Sequence, residues 1–271
     1  MKNEVKTFRL FVRPDEKSQQ IASKIRELNA NRTFPLVEAD DADLVFAIGG
    51  DGTFIHSVTE THFSKNIIYT GIHTGTLGFL QDLCENDIFA LLQYISFEQE
   101  LKTRKVYTAY VEVVLKDGTS LNFSALNEVI VAGDTHSKIS FAQYINGELL
   151  QNISANGIII ATSTGDTAYS LNANGAIDFS NNFQLVCTLE IPIRNAAYER
   201  FITNPIICSK IDVVLKPAEN ICIIIDGKKK DLPSGKIEKV SVSMEESNFI
   251  NKLDLMNYSK VRVIRNKILG Y

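Results

Sequence analysis

The stretch Leu44-Val45-Phe46-Ala47-Ile48-Gly49-Gly50-Asp51-Gly52-Thr53 decides how this chain is read. Its five leading apolar residues have the length and continuity of a strand buried on both faces. Glycines then break the strand around one aspartate, and a helix is predicted from about Thr53 to Glu60. Glycine lets the backbone come close to an oxyanion and take positive φ. The free N–H groups and dipole of a helix start favour negative charge there. Ligands of open α/β sheets bind outside the carboxyl ends of the strands, where this loop lies. Gly49, Gly50, Gly52 and Thr53 therefore read as a phosphate cradle. Asp51 is its informative member. A carboxylate among phosphates is repelled unless it binds a bridging Mg²⁺ or takes a proton from an attacking hydroxyl. The competing reading is an aspartate that only caps the helix. Neither a GxxxxGK[S/T] loop nor a GxGxxG loop occurs.

Working outward, strands alternate with helices over the first hundred residues. Thr7 to Val12 reads as a strand ended by Pro14-Asp15, and Glu16 to Leu28 as a helix with Ile21, Ile25 and Leu28 on one stripe. Leu36-Val37 is a short strand and Asn66 to Ile72 a buried one. Asp87 to Ile95 is helical, with Ile88, Leu91, Leu92 and Ile95 in register. This order predicts a parallel α/β sheet. Beyond about residue 100 the pattern turns to β. Tyr107 to Leu115 and Leu121 to Val131 flank an Asp117-Gly118 hairpin signal. Asn146-Gly147 is a second such turn. Ile158 to Ala161, Ile211 to Leu215, Ile221 to Asp226 and Val240 to Met244 are strand-like, and Asp166 to Ala176 is the one helical stretch. Tyr258 to Leu269 carries apolar residues at helical spacing and is expected to return to the first domain. The domains so predicted are 1–100 with 252–271, and 101–251.

Hydrophobic residues make up 45% of the 271 and charged residues 22%, a balance that supports a packed core. No apolar run reaches membrane-helix length, and the first residues lack a signal-peptide core. A cytoplasmic protein is expected, without membrane attachment. A net charge of −4 gives no reason to expect nucleic acid, and Lys228-Lys229-Lys230 reads as a solvated turn. Cys84, Cys187, Cys208 and Cys222 are widely spaced and form no CxxC pair, so reduced thiols are expected and a zinc site is not.

A second polar cluster lies in the β-rich half. Asn127-Glu128 ends a strand, and Asn156-Gly157 precedes Ile158 to Ala161 and then Thr162-Ser163-Thr164-Gly165-Asp166-Thr167-Ala168-Tyr169-Ser170. Asn and Glu can grip the paired hydroxyls of a ribose, and Tyr169 offers a flat face to a base. Equally, Thr162 to Thr167 reads as an ordinary helix cap with Tyr169 in the core.

Together these motifs, with Gly71-Ile72-His73-Thr74-Gly75-Thr76-Leu77-Gly78-Phe79, Ile225-Asp226-Gly227 and the basic segment Arg262 to Tyr271, stand in an order that resembles the NAD kinases. The glycine loop alone is shared with phosphofructokinases and lipid kinases; the Asn-Glu pair with the Thr-Ala-Tyr segment singles out this family. The resemblance covers nearly the whole chain. It implies an α/β N-terminal domain and a β-rich C-terminal domain with the dinucleotide between them. It implies transfer of a phosphoryl group from ATP or polyphosphate to the 2′-hydroxyl of the adenosine ribose of NAD, a requirement for Mg²⁺, and a homodimer or homotetramer in which a neighbouring subunit can complete the NAD site. By position Asp51 would be the general base. Asn127 and Glu128 would hold the nicotinamide-side ribose or adenine, and Thr164, Thr167, Ala168 and Tyr169 would line the adenine pocket. Phe79 and Gly52 would border the site.

The chain departs from the family pattern at three places. Asp166 stands where Ser or Thr is usual, Ser163 where Pro is usual, and Asn156 where a ligand-contacting Asp is usual. Asp166 is expected either against an uncharged part of the ligand or at a helix start facing solvent. Two other readings stay open: another kinase with the same loop, acting on a lipid or a sugar, and a non-catalytic dinucleotide-binding protein on the same fold.

Overall fold

The computed structural model describes residues 5–30, 36–75, 78–97, 100–134, 137–180, 183–193, 201–216, 221–255 and 257–270. Thr76, Leu77 and Tyr271 of the motifs quoted above lie outside them. The chain divides into two compact units, residues 1–106 with 249–271, and residues 107–248.

In the first unit, β1 (Thr7–Val12) leads to α1 (Glu16–Ala30), whose start is capped by Asp15 accepting from the Ser18 N–H at 3.1 Å. There follow β2 (Val37–Glu38), β3 (Leu44–Gly49), α2 (Asp51–Glu60), β4 (Ile68–His73) and α3 (Ile88–Phe97). All strand pairs here are parallel, in the order β2-β1-β3-β4. Every residue of β3 is buried, as its unbroken apolar run requires. Ile21, Ala22 and Ile25 of α1 and Leu91, Leu92 and Ile95 of α3 join Phe8, Phe46 and Ile48 in one core. The order places the carboxyl ends of β1 and β3 side by side where the strand order reverses, the position at which such sheets bind ligands.

The second unit is built from antiparallel strands. They are β5 (Thr103–Leu115), β6 (Ser120–Ala125), β7 (Glu128–Gly133), β8 (Ile139–Ile145) and β9 (Glu148–Thr162). After a single helical turn, α4 (Tyr169–Asn172), come β10 (Leu185–Pro192), β11 (Ile206–Cys208), β12 (Lys210–Leu215), β13 (Ile221–Ile225), β14 (Lys228–Lys229) and β15 (Ile237–Leu253). The chain leaves the first unit within β5 and re-enters it within β15, whose Asn251 and Lys252 pair in parallel with Ile68 and Tyr69 of β4. The last segment is a short helix, α5 (Lys260–Ile264), continued by a π-type turn at Arg265–Leu269. The β8–β9 hairpin turns on Asn146 and Gly147, both at positive φ (51° and 90°), as a two-residue turn of this hand demands.

Several expectations need correction. Leu121 to Val131 is two strands, because the chain breaks at Leu126-Asn127. Asp166 to Ala176 is not a helix; it holds a 3-10 turn at Gly165–Thr167 and the single turn α4. Lys228 and Lys229 are exposed as expected, yet they form β14, folded back on β13 through Asp226 and Gly227 at φ 49° and 75°. Strands β10 and β11 were not foreseen. They bring Cys187 and Cys208, both free thiols, to a sulfur–sulfur distance of 3.6 Å.

Candidate functional site

In the first unit the site is assembled around Asp51, the first residue of α2. Its side chain does not cap its own helix. One carboxylate oxygen accepts from the Phe79 N–H at 2.9 Å and the other from the Leu80 N–H at 2.8 Å. Gln81 closes the same clamp by donating from Nε2 to the Gly50 carbonyl at 2.7 Å. Gly78 is needed for the approach, since a Cβ there would overlap the Asp51 carboxylate. Gly49, at φ 152°, packs where a Cβ would press on Thr53 Oγ1 at 2.5 Å. Gly52 is exposed and Thr53 half-buried, so the start of α2 is open toward one side.

Three basic side chains stand near this loop, and the sequence reading assigned none of them. Arg13 follows β1. It pairs with Asp15 at 2.6 Å and donates to Thr74 Oγ1 at 3.1 Å, which fixes its guanidinium. Arg13 also lines, with Arg9, Pro14, Gly52, Thr53 and His56, a cleft of about 390 Å³ at the carboxyl ends of β1 and β3. Lys267 stacks its ammonium 4.4 Å from the centre of the Phe79 ring; burial lowers its pKa and the charge of Asp51 opposes that. Lys252 is fully buried on β15 and meets Asp82. Burial pushes its ammonium down to about 7, opposed by Asp254 and Asp51.

In the second unit the site is assembled around the break between β6 and β7. Asp226, at the β13–β14 turn, accepts the backbone N–H groups of Leu126, Asn127 and Glu128 at 2.8, 2.7 and 3.2 Å. This clamp holds Leu126 and Asn127 in the break between the strands and fixes Glu128 as the first residue of β7, in register with Ala161 of β9. Thr162 binds the same corner. Its N–H meets the Asn127 carbonyl, its hydroxyl donates to the Leu126 carbonyl at 2.6 Å, and that oxygen accepts from the Thr164 and Gly165 N–H groups. Gly165 lies so close that a Cβ would overlap the Asn127 carbonyl.

Asn127 Oδ1 and Glu128 Oε2 are buried with no hydrogen-bond partner among the described residues. Leaving such atoms unmatched costs about 1–3 kcal/mol each, which makes these two oxygens candidates to accept from ligand donors. Burial pushes the Glu128 carboxyl up to about 7; the Asp226 charge adds to that, and a backbone N–H from Tyr169 opposes it. Burial likewise raises Asp226, against the three N–H bonds it accepts.

Tyr169 is 45% exposed, so it is not a core residue; its hydroxyl donates to Glu190 at 2.8 Å and its ring is presented outward. Thr164 and Ala168 are half-buried beside it and Thr167 is buried. Asn156 is half-buried on β9. Asp166 does not face solvent. It is fully buried and accepts the Asp178 N–H at 2.6 Å, tying the chain after α4 to the 3-10 turn.

Comparison with known proteins defines the class first. Residues 2–100 match the ATP-NAD kinase N-terminal domain and residues 126–252 the ATP-NAD kinase C-terminal domain. An NAD kinase of Chlorobium phaeobacteroides is 30% identical over 90% of this chain and 83% of its own length. One of Thermococcus sibiricus is 30% identical over 78% of this chain and 73% of its own. The fold is shared with a crystal structure of yeast NADH kinase complexed with NADH, at a TM-score of 0.81 and 20% identity, covering 98% of this chain and 88% of that one. These matches define a two-domain phosphotransferase. The chain belongs to the NAD kinase family.

Proposed function

We propose that this protein phosphorylates the 2′-hydroxyl of the adenosine ribose of NAD, with ATP or polyphosphate as donor. The observation that carries the reading is the Asp51 carboxylate, held by two backbone N–H groups at the mouth of a glycine loop. Each of its oxygens keeps a lone pair beyond the bond it accepts. Asp51 takes the hydroxyl proton as the 2′-oxygen bonds to the terminal phosphorus of the donor and the bridging P–O bond breaks. The start of α2 and the nearby Lys267 stabilise the charge that develops on the transferred group. Arg13, with Thr53 and Gly52, receives the donor phosphates in the cleft at the β1/β3 carboxyl ends. Asn127 and Glu128 hold ribose or adenine through their unmatched buried oxygens, and Tyr169 gives its ring to the base. Phe79 borders the site.

Among the described residues no group of three or more His, Cys, Asp or Glu could cage a metal. That fits Mg²⁺ bound mainly through donor phosphates and water, where it would neutralise phosphate charge. Among the described residues no helix is long and apolar enough to cross a membrane; we place the reaction in the cytoplasm, and the active form as a homodimer or homotetramer.

The test is direct. Purified protein is incubated with NAD, ATP and Mg²⁺, and NADP is detected through an NADP-specific dehydrogenase. Binding of NAD without NADP formation, with either donor, would favour a non-catalytic binding protein.

A further inference from the structure

Lys252 stands out because nothing in the reaction described above uses it. It sits on β15 in register with Tyr69 of β4, less than 2% exposed, with its ammonium 5.8 Å from the Phe54 ring of α2. A lysine is almost never buried to this degree unless paired. Its partner is Asp82. Asp82 follows four residues that each touch the glycine loop: Gly78 packs on the Asp51 carboxylate, Phe79 and Leu80 donate to it, and Gln81 donates to the Gly50 carbonyl. The remaining charges that act on Lys252 are Asp254, just beyond β15, and Asp51 itself.

Resting on the reading of Asp51 as the base, we propose that Lys252 is a positioning residue for it, acting through Asp82. A proton acceptor must lie within hydrogen-bond reach of the hydroxyl, and misplacement by about 1 Å costs on the order of 10²-fold. Segment 78–82 carries no regular helix or strand to hold it; Leu83 alone bridges to β4. The Lys252–Asp82 pair anchors its far end to β15, next to the Leu83 bridge, two residues beyond the Leu80 N–H that holds Asp51.

Removing one partner of a buried ion pair strands the other charge and can unfold the protein. The decisive variant is therefore the double one, Lys252→Met with Asp82→Asn, compared with Lys252→Arg. The double variant is expected to keep the wild-type thermal midpoint within a few degrees and the KM for NAD within about twofold. Its kcat is expected to fall at least tenfold, with partial recovery in Lys252→Arg, which keeps the charge. Its crystal structure is expected to show the Phe79 and Leu80 N–H bonds to Asp51 lengthened or lost. A folded double variant with wild-type kcat and both bonds intact overturns the inference. Asp51→Asn, run in parallel, separates the two claims. If it loses turnover while the double variant keeps it, the base stands and the role of Lys252 falls. If Asp51→Asn keeps turnover, the base falls, and the geometry of Asp51 in the double-variant crystal still decides whether Lys252 positions it.

Discussion

At the scale of single residues, Asp51, Tyr169 and Glu128 each make a separable prediction. Asp51→Asn keeps the size of the side chain but not the proton acceptor. Turnover is expected to fall by ~10²–10⁴-fold with KM for NAD nearly unchanged, and a near-normal kcat would remove Asp51 from the role of base. Tyr169 presents its ring outward and spends its hydroxyl on Glu190. Stacking of a base on such a face is worth about 1–3 kcal/mol, so Tyr169→Ala should raise KM for NAD roughly tenfold or more. Tyr169→Phe should be much milder, and equal losses would mean that the hydroxyl matters and the ring does not. Burial, with the Asp226 charge beside it, pushes the Glu128 carboxyl from an ordinary 4.5 up to about 7 in the fold. Between those values the folded state binds more protons than the unfolded chain, so stability falls as pH rises from about 5 to 8. Glu128→Gln should flatten that dependence and exceed the wild type at pH 8 by on the order of 2 kcal/mol. Thermal midpoints at pH 5 and 8 decide it; an unchanged difference between the two pH values counts against the buried charge.

At the scale of elements, the candidate residues of each unit lie at a break in regular structure held by a distant carboxylate or amide. β3 stops at Gly49 and α2 starts at Asp51, with segment 78–82 clamping the junction. β6 stops at Ala125 and β7 starts at Glu128, with Asp226 clamping the gap from a hairpin about a hundred residues away. Gly165 belongs to this second junction. Gly165→Ala would drive a methyl into the Asn127 carbonyl, a backbone atom that cannot step aside. The variant should lose about 1–3 kcal/mol of stability and should weaken NAD binding by moving Asn127. Wild-type affinity in a folded Gly165→Ala protein, by calorimetry, would show that the corner is not part of the dinucleotide site. The same view explains Asp166. Of the two places expected for it, solvent at a helix start is excluded: Asp166 is buried in the 3-10 turn and accepts the Asp178 N–H inside the unit.

At the scale of the whole molecule, the metal gives the cleanest expectation. On the proposed reaction, with Mg²⁺ carried by the donor phosphates, chelation by EDTA should abolish turnover yet leave the thermal midpoint of the nucleotide-free protein unchanged. A drop in midpoint on chelation would reveal a structural ion instead. Much of this architecture was legible in the chain by itself. The run Leu44 to Ile48, the Asn146-Gly147 turn and the α1 stripe announce a parallel sheet followed by antiparallel hairpins, because burial on two faces, positive φ and helical periodicity are local demands on residue type. The motifs around Asp51, Asn127-Glu128 and Thr164 to Tyr169 likewise name the candidate residues, and the structure places the first two at breaks between regular elements. Local pattern could not show that Asp226 holds Asn127 and Glu128, that Asp166 is buried, that Arg13 faces the glycine loop, or that Lys252 meets Asp82. Each of those facts depends on residues from 12 to 170 positions apart being brought within hydrogen-bonding distance. Only packing of the strands against one another sets such distances. The sequence alone determined which side chains can carry charge and protons, and the tertiary structure decided which of them are buried, paired and aimed.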